Sequence, residues 1–172
     1  PPGNEIVVVE DDRQIEPPDT MFYATDLYTD YALKYIREHN QTKPFFLYVS
    51  YTAPHWPLHA LSEDISKYEG KYLIGWDSLR QQRFRNLKKT GLIHPDTKLS
   101  ERFKTVPAWD SLSSEEKAKQ AHLMTVYAAM IDRMDQNIGR LINQLEQEGY
   151  SKNTLIIFLS DNGGCSAGNL AY

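Results

Sequence analysis

Two short stretches of the chain carry residue types suited to chemistry. The first is Asp161-Asn162-Gly163-Gly164, which follows an apolar run from Leu155 to Leu159. Its carboxylate and amide carbonyl are adjacent hard oxygen donors, a set that suits Ca2+ or Mg2+ better than a soft transition metal. Calcium takes about 6 to 8 oxygens, so this pair needs further ligands from elsewhere. The commoner use of Asp-Asn-Gly is an Asx turn capping the next segment, and the dipeptide alone favours that use. The second stretch is Thr52-Ala53-Pro54-His55-Trp56-Pro57-Leu58-His59. Its two prolines fix the backbone around His55, and an imidazole held at a strand end can donate a proton or hydrogen-bond an anion. His55 and His59 are four apart, but Pro57 stands between them and argues against a helical zinc-protease pair. A rigid loop in which His55 and Trp56 simply pack is the plain alternative. Cys165 has only glycines, Ser166 and Ala167 beside it, nothing that would lower a thiol pKa, and is read as structural.

Elements able to position these loops can be read from hydrophobic period. Leu155–Ser160 reads as a strand buried on both faces, and Phe45–Tyr51 as a second strand. Ahead of the second strand, Tyr28, Tyr31, Ala32, Tyr35 and Ile36 recur at helical spacing, with Thr25 as N-cap and Asn40 closing the helix. Ahead of the first, Ser113-Ser114-Glu115-Glu116 fits a capping box that opens a long helix. Met124, Ala128, Ile131, Asp135, Ile138, Ile142 and Leu145 track one face of it to about Glu148, and Gly149 stops it. Helix-then-strand thus occurs twice, each time ending in a polar loop. Right-handed crossovers between parallel strands would put both loops on one sheet edge, where open α/β sheets bind ligands.

The remaining segments are less regular. Ile6–Val9 is a short β-branched run followed by a turn at Glu10–Arg13, and Pro17-Pro18 breaks regular structure. Residues 61–112 form an irregular insertion with helical stretches in Ile74–Leu87. Arg80, Arg83, Arg85, Lys88 and Lys89 make a basic cluster there, either a solvated face or a rim that attracts an anionic substrate.

At 172 residues, 41% hydrophobic and 24% charged, the chain is long enough for a proper core. A net charge of −4 carries no electrostatic footprint for nucleic acid or an anionic membrane. No apolar run approaches the roughly 20 residues of a spanning helix. One cysteine excludes an internal disulfide. Asn40-Gln41-Thr42 is a glycosylation sequon, relevant only in a secreting eukaryote.

Taken together, FYATDLYTDYALKYI, KPFFLYVSYTAPHWPLHA (Lys43–Ala60) and VYAAMIDRMDQNIGRLINQLEQEGYSKNTLIIFLSDNGG (Val126–Gly164) resemble the sulfatases of the alkaline phosphatase superfamily, in that family's order. GWDSLRQQRF (Gly75–Phe84) is similar to an insertion of arylsulfatase-like members. The resemblance implies an alkaline-phosphatase-like α/β fold, a mostly parallel sheet flanked by helices, of which residues 1–172 are the central part. It implies one Ca2+ held by Asp161 and Asn162, with Asp161 also assisting the nucleophile. His55 takes the role of contacting the sulfate and the leaving-group side, and Trp56 and His59 of the same loop are expected substrate contacts. Asn162 separates this chain from two-zinc phosphatases and phosphodiesterases of the superfamily, which carry Asp-His at that point.

The departures shape the expectation. The family's Cys/Ser-x-Pro/Ala-x-Arg motif, whose first residue becomes the formylglycine nucleophile, does not occur here, and neither does its Gly-Lys-x-His segment. Nor does the lysine expected after the Asp-Asn-Gly loop. Ile6–Asp12 imitates the family's first strand and calcium-binding Asp pair, and is read as a decoy. The chain opens Pro1-Pro2-Gly3 and stops at Tyr172, and is expected to be a piece of a longer sulfatase that does not turn over by itself. A periplasmic, secreted or lysosomal site follows from the resemblance only. Two other readings remain: a phosphodiester or phosphonate hydrolase of the superfamily, and a non-catalytic relative that binds sulfated glycans through the basic cluster.

Overall fold

The computed structural model describes residues 7–16 and 22–163. Ile6, Pro17, Pro18, Gly164 and Cys165 lie outside them. The chain divides into two compact units, one from Pro1–Ala53 with Met134–Tyr172 and one from Pro54–Arg133.

In the first unit, β1 (Val8–Glu10) and β2 (Arg13–Ile15) form an antiparallel hairpin, Val8 opposite Ile15 and Glu10 opposite Arg13. Asp11 takes a φ of 52° in the turn, a left-handed conformation that Asp tolerates better than most residues. Asp11 and Asp12 thus form the hairpin turn that the sequence predicts there. Strand β2, with one apolar residue in Arg-Gln-Ile, has no period to betray it. Lys34 donates to the Glu10 carboxylate (2.7 Å) and so ties the hairpin to the next helix.

Helix α1 spans Ala24–Glu38 and starts from Tyr23 without a side-chain cap. The expected cap at Thr25 is thus displaced: Thr25 lies inside the first turn and is buried. The helical period was right but the face is rotated. Thr25, Leu27, Thr29, Ala32, Leu33 and Ile36 are buried, whereas Tyr28 and Tyr35 are exposed. Tyrosines keep their hydroxyls in water at little cost, and the small residues allow closer packing. The fully buried Thr29 hydroxyl donates to the Thr25 carbonyl (2.9 Å) and accepts from the Tyr51 hydroxyl (2.8 Å), since its single hydrogen is already committed. At the far end the sequon asparagine, Asn40, accepts from the Thr42 amide and hydroxyl in an Asx turn.

Residues 45–51 alternate as a strand should. Phe45, Leu47, Val49 and Tyr51 are half-buried, while Phe46 and Tyr48 are 91% and 78% exposed. Phe45 packs edge-on against Tyr150 and against His39, with ring centroids 5.3 Å apart in each pair.

Helix α4 (Ser114–Gln147) lends its last turns to this unit. Asn137 is buried there, donating to Asp26 of α1 (2.7 Å) and accepting from Arg140 (2.7 Å), which also pairs with Asp30. Gly149, at φ 78°, ends the helix as expected, with the Tyr150 amide bonded back to the Leu145 carbonyl (2.8 Å). The expected α4 face holds in part: Ala128 and Leu145 are buried, but Ile131, Asp135 and Ile142 are exposed, and Ala121, Thr125, Ala129, Met130 and Asn137 are buried instead.

The parallel sheet is where the structure and the sequence reading part. Among the described residues the only sheet is the β1–β2 hairpin. Residues 154–160 follow α4 without ladder bonds, and Leu155 and Phe158 are 84% and 73% exposed rather than buried. A helix satisfies its own amides, but a strand becomes a strand only when a neighbour supplies hydrogen bonds and covers its faces.

The second unit holds α2 (Ser62–Ser66), α3 (Gly75–Lys89), a 3-10 turn at Trp109–Ser111 and residues 114–133 of α4. Residues 61–112 thus carry two α-helices and a 3-10 turn. The capping box forms as expected, Ser113 Oγ accepting from the Glu116 amide (3.2 Å) and the Glu116 carboxylate from the Ser113 amide (2.8 Å). Buried Asp64 accepts from Lys67 (2.7 Å), which also reaches Asp132 (2.7 Å), and Arg133 stands 3.8 Å from Asp64. These two hydrogen bonds, the Asp132 one first, raise the Lys67 pKa well above its ordinary value.

Gly75-Trp76-Asp77 clamps the chain at 102–109 onto the start of α3. The rings of Trp76 and Trp109 meet edge to face at 4.9 Å, and the Trp76 indole donates to the Pro107 carbonyl (3.1 Å). Asp77 accepts from the Trp109 amide (2.9 Å) and from Arg102 (3.1 Å). Gly75 sits at φ 77°, and a Cβ there would lie 2.2 Å from Trp109 Cγ. Two consequences follow for stability. Gly75→Ala should cost about 2–4 kcal/mol through overpacking and left-handed strain; a denaturation midpoint equal to the parent's would refute the clamp. The second concerns pH. The Trp109 amide, then Arg102, holds the Asp77 carboxyl below its ordinary value. Its stabilisation is present above the unfolded-state pKa and is lost as pH falls through the lower folded value. Thermal melts from neutral pH downward should show the loss beginning near about pH 4, with Asp77→Asn less stable at neutral pH and less sensitive to acid.

Candidate functional site

The candidate residues fall into two groups. His55, Trp56 and His59 belong to the second unit, Asp161 and Asn162 to the first.

Residues 54–60 lie outside regular secondary structure, as two prolines in four residues require. His55 is exposed, and its Nδ1 lies 2.6 Å from the Trp56 carbonyl oxygen. A carbonyl can only accept, so Nδ1 carries the hydrogen and Nε2 is the nitrogen left for other partners. Neutral, Nε2 accepts a proton; protonated, it offers one to an anion or a leaving oxygen. Trp56 is 37% exposed beside it, and His59 is exposed. The loop thus presents His55 outward.

Asp161, Asn162 and Gly163 form a bend, all three exposed. The Ser160 hydroxyl donates to the Asn162 carbonyl (2.6 Å) and shapes that bend. The sequence reading passed over Ser160; a serine just before Asp-Asn is the available signal, because its hydroxyl readily bonds backbone two residues on. The Asp161 carboxylate and the Asn162 amide oxygen are the donors here that a hard cation would take. Among the described residues no cluster of three or more His, Cys, Asp or Glu is arranged to hold a metal. The basic cluster is partly committed: Arg80 donates to Ser100, and Lys88 to the Pro95 carbonyl (2.5 Å).

Comparison with known proteins settles the class. The Sulfatase family model matches residues 3–170, and the chain belongs to the sulfatase family. That membership carries an α/β, alkaline-phosphatase-like fold class and agrees with the resemblance read from the sequence. Among its relatives, an arylsulfatase of Klebsiella aerogenes is 38% identical over 94% of this chain and 34% of its own length. An uncharacterised sulfatase of Schizosaccharomyces pombe is 40% identical over 83% of this chain and 26% of its own. An N-acetylglucosamine-6-O-sulfatase of Bacteroides thetaiotaomicron is 27% identical over 82% of this chain and 33% of its own. The chain spans about a third or less of the length of these relatives. Among the described residues no helix is long and apolar enough to cross a membrane.

The His55 geometry has a spectroscopic consequence. In 15N–1H correlation spectra at pH above the imidazole pKa, His55 should populate the Nδ1–H tautomer, whereas free histidine favours Nε2–H. An Nε2–H pattern for His55 would mean the Trp56 carbonyl does not hold it.

Proposed function

We propose that the protein containing this chain is a calcium-dependent sulfuric ester hydrolase working by the formylglycine mechanism. The observation that carries the reading is the exposed bend at Asp161-Asn162, a carboxylate beside an amide oxygen, in a member of the sulfatase family. An amide oxygen suits calcium, whereas an imidazole at that position would suit zinc and phosphate-ester chemistry.

Asp161 and Asn162 would hold the ion together with oxygens from outside this chain. When bound, it supplies positive charge against the sulfate oxygens, and such electrostatic stabilisation is the large term in transfer of a charged group. Asp161 also stands to take a proton from the nucleophile, a hydrated formylglycine outside this chain. That group would supply the attack on sulfur that frees the ester oxygen as an alcohol and, through its second hydroxyl, the later release of sulfate. His55, whose Nδ1 donates to the Trp56 carbonyl, would when protonated give its Nε2 proton to the departing oxygen or hydrogen-bond the sulfate. Trp56 and His59 line the same loop and supply an apolar wall and a further donor for the group beyond the sulfate.

The full-length protein should hydrolyse an aryl sulfate in preference to bis(4-nitrophenyl) phosphate and lose that activity to a calcium chelator. Asp161→Ala should lower kcat by roughly 10²-fold or more and weaken calcium binding in calorimetry. Activity indifferent to chelation, or a preference for the phosphodiester, would overturn the reading.

A further inference from the structure

We infer that the solvent face of α3 is a docking surface for a polysulfated chain. This rests on the sulfatase reading for its choice of polyanion and extends it, since the substrate becomes a sulfated polymer rather than an isolated small ester.

Charge is segregated along this sequence. Residues 75–106 hold eight Lys or Arg against three Asp or Glu, a net +5, so the remainder of a chain of net −4 carries −9. Within that stretch, residues 78–95 hold five cations and no acid. A merely solvated helix usually mixes signs, because opposite charges at i,i+4 stabilise it and like charges oppose it. Arg85 and Lys89 are such a like-charged i,i+4 pair, on a face 6 Å apart in rise by helix geometry (about 1.5 Å per residue).

The structure separates committed cations from free ones. Arg80 is bound to Ser100 and Lys88 to the Pro95 carbonyl, while Asp77, the one acid of α3, is taken up by Arg102 and the Trp109 amide. Arg83, Arg85 and Lys89 are exposed and make no hydrogen bond or ion pair with any described residue. The helix dipole accounts for Lys89 in the last turn, but not for Arg83 and Arg85 further in.

The same face offers exposed Gln82 and Asn86, amides able to bond sulfate oxygens or sugar hydroxyls. The aromatic residues of α3 are half-buried elsewhere, Trp76 against Trp109 and Phe84 beneath Lys88. A stacking platform for nucleic-acid bases is therefore missing from this face, and a sulfated polysaccharide is the polyanion it fits.

The test is fluorescence anisotropy of labelled dextran sulfate with the full-length protein, from about 0.05 to 0.5 M salt, since screening must weaken a charge-based surface. The triple variant Arg83→Gln, Arg85→Gln, Lys89→Gln should bind about tenfold or more weakly with a shallower salt slope. The charge-keeping variant Arg83→Lys, Arg85→Lys, Lys89→Arg should bind like the parent. Hydrolysis of a small aryl sulfate should be unchanged in both. Parent-like binding by the neutralised variant, equal competition by unsulfated dextran, or tighter binding of polyuridylate would each overturn the proposal. A parent that binds dextran sulfate through α3 but hydrolyses no sulfate ester would overturn the sulfatase reading and leave this surface standing.

Discussion

A buried amide cannot be left unpaired, and Asn137 is the place where that constraint organises the first unit. Its side chain is 1% exposed, and both of its polar atoms are satisfied, by Asp26 of α1 and by Arg140 one turn along α4. An unpaired buried amide costs roughly 1–3 kcal/mol, so this bond fixes α1 against the last turns of α4 in one register. The Thr29–Tyr51 hydroxyl pair then secures residues 45–51 along α1 by the same logic. Apolar contacts around Leu27, Ala32, Leu33 and Ile36 supply most of the burial, but they are non-directional. The polar pairs choose the face, which explains why α1 turns Thr25 and Thr29 inward and leaves its tyrosines in water.

The second unit solves a different problem, that of holding residues 61–112 with little apolar core. The Gly75-Trp76-Asp77 clamp does so with one aromatic pair and three hydrogen bonds to residues 102–109. Taking up Asp77 there leaves the rest of α3 without any counter-charge. The stability of this stretch and the one-signed face of the helix thus share a cause.

The geometry of the candidate residues is local in both groups. The Trp56 carbonyl sets the His55 tautomer, and the Ser160 hydroxyl shapes the bend that exposes Asp161 and Asn162. Neither arrangement is chance loop geometry: proline restraint in one case and an Asp-Asn-Gly bend in the other are conformations that these residue types select by themselves.

By itself the sequence determined whatever rests on short-range rules. The capping box at Ser113, the stop at Gly149, the helical period of α1, α3 and α4, the turn at Asp11-Asp12, and the two loops with His55, Trp56, His59, Asp161 and Asn162 were all legible. So was the family, through motifs covering most of the chain. Helix faces were not legible, because Tyr28 and Tyr35 look apolar on any scale yet keep their hydroxyls wet, while Thr29 and Asn137 look polar yet pair when buried. Strand β2 was hidden in Arg-Gln-Ile, since pairing across a tight turn needs no hydrophobic period. The segments 45–51 and 155–160 show the limit most plainly. Their composition announces strands, but a strand's hydrogen bonds belong to its neighbours, so only the tertiary structure can decide which of its faces is covered.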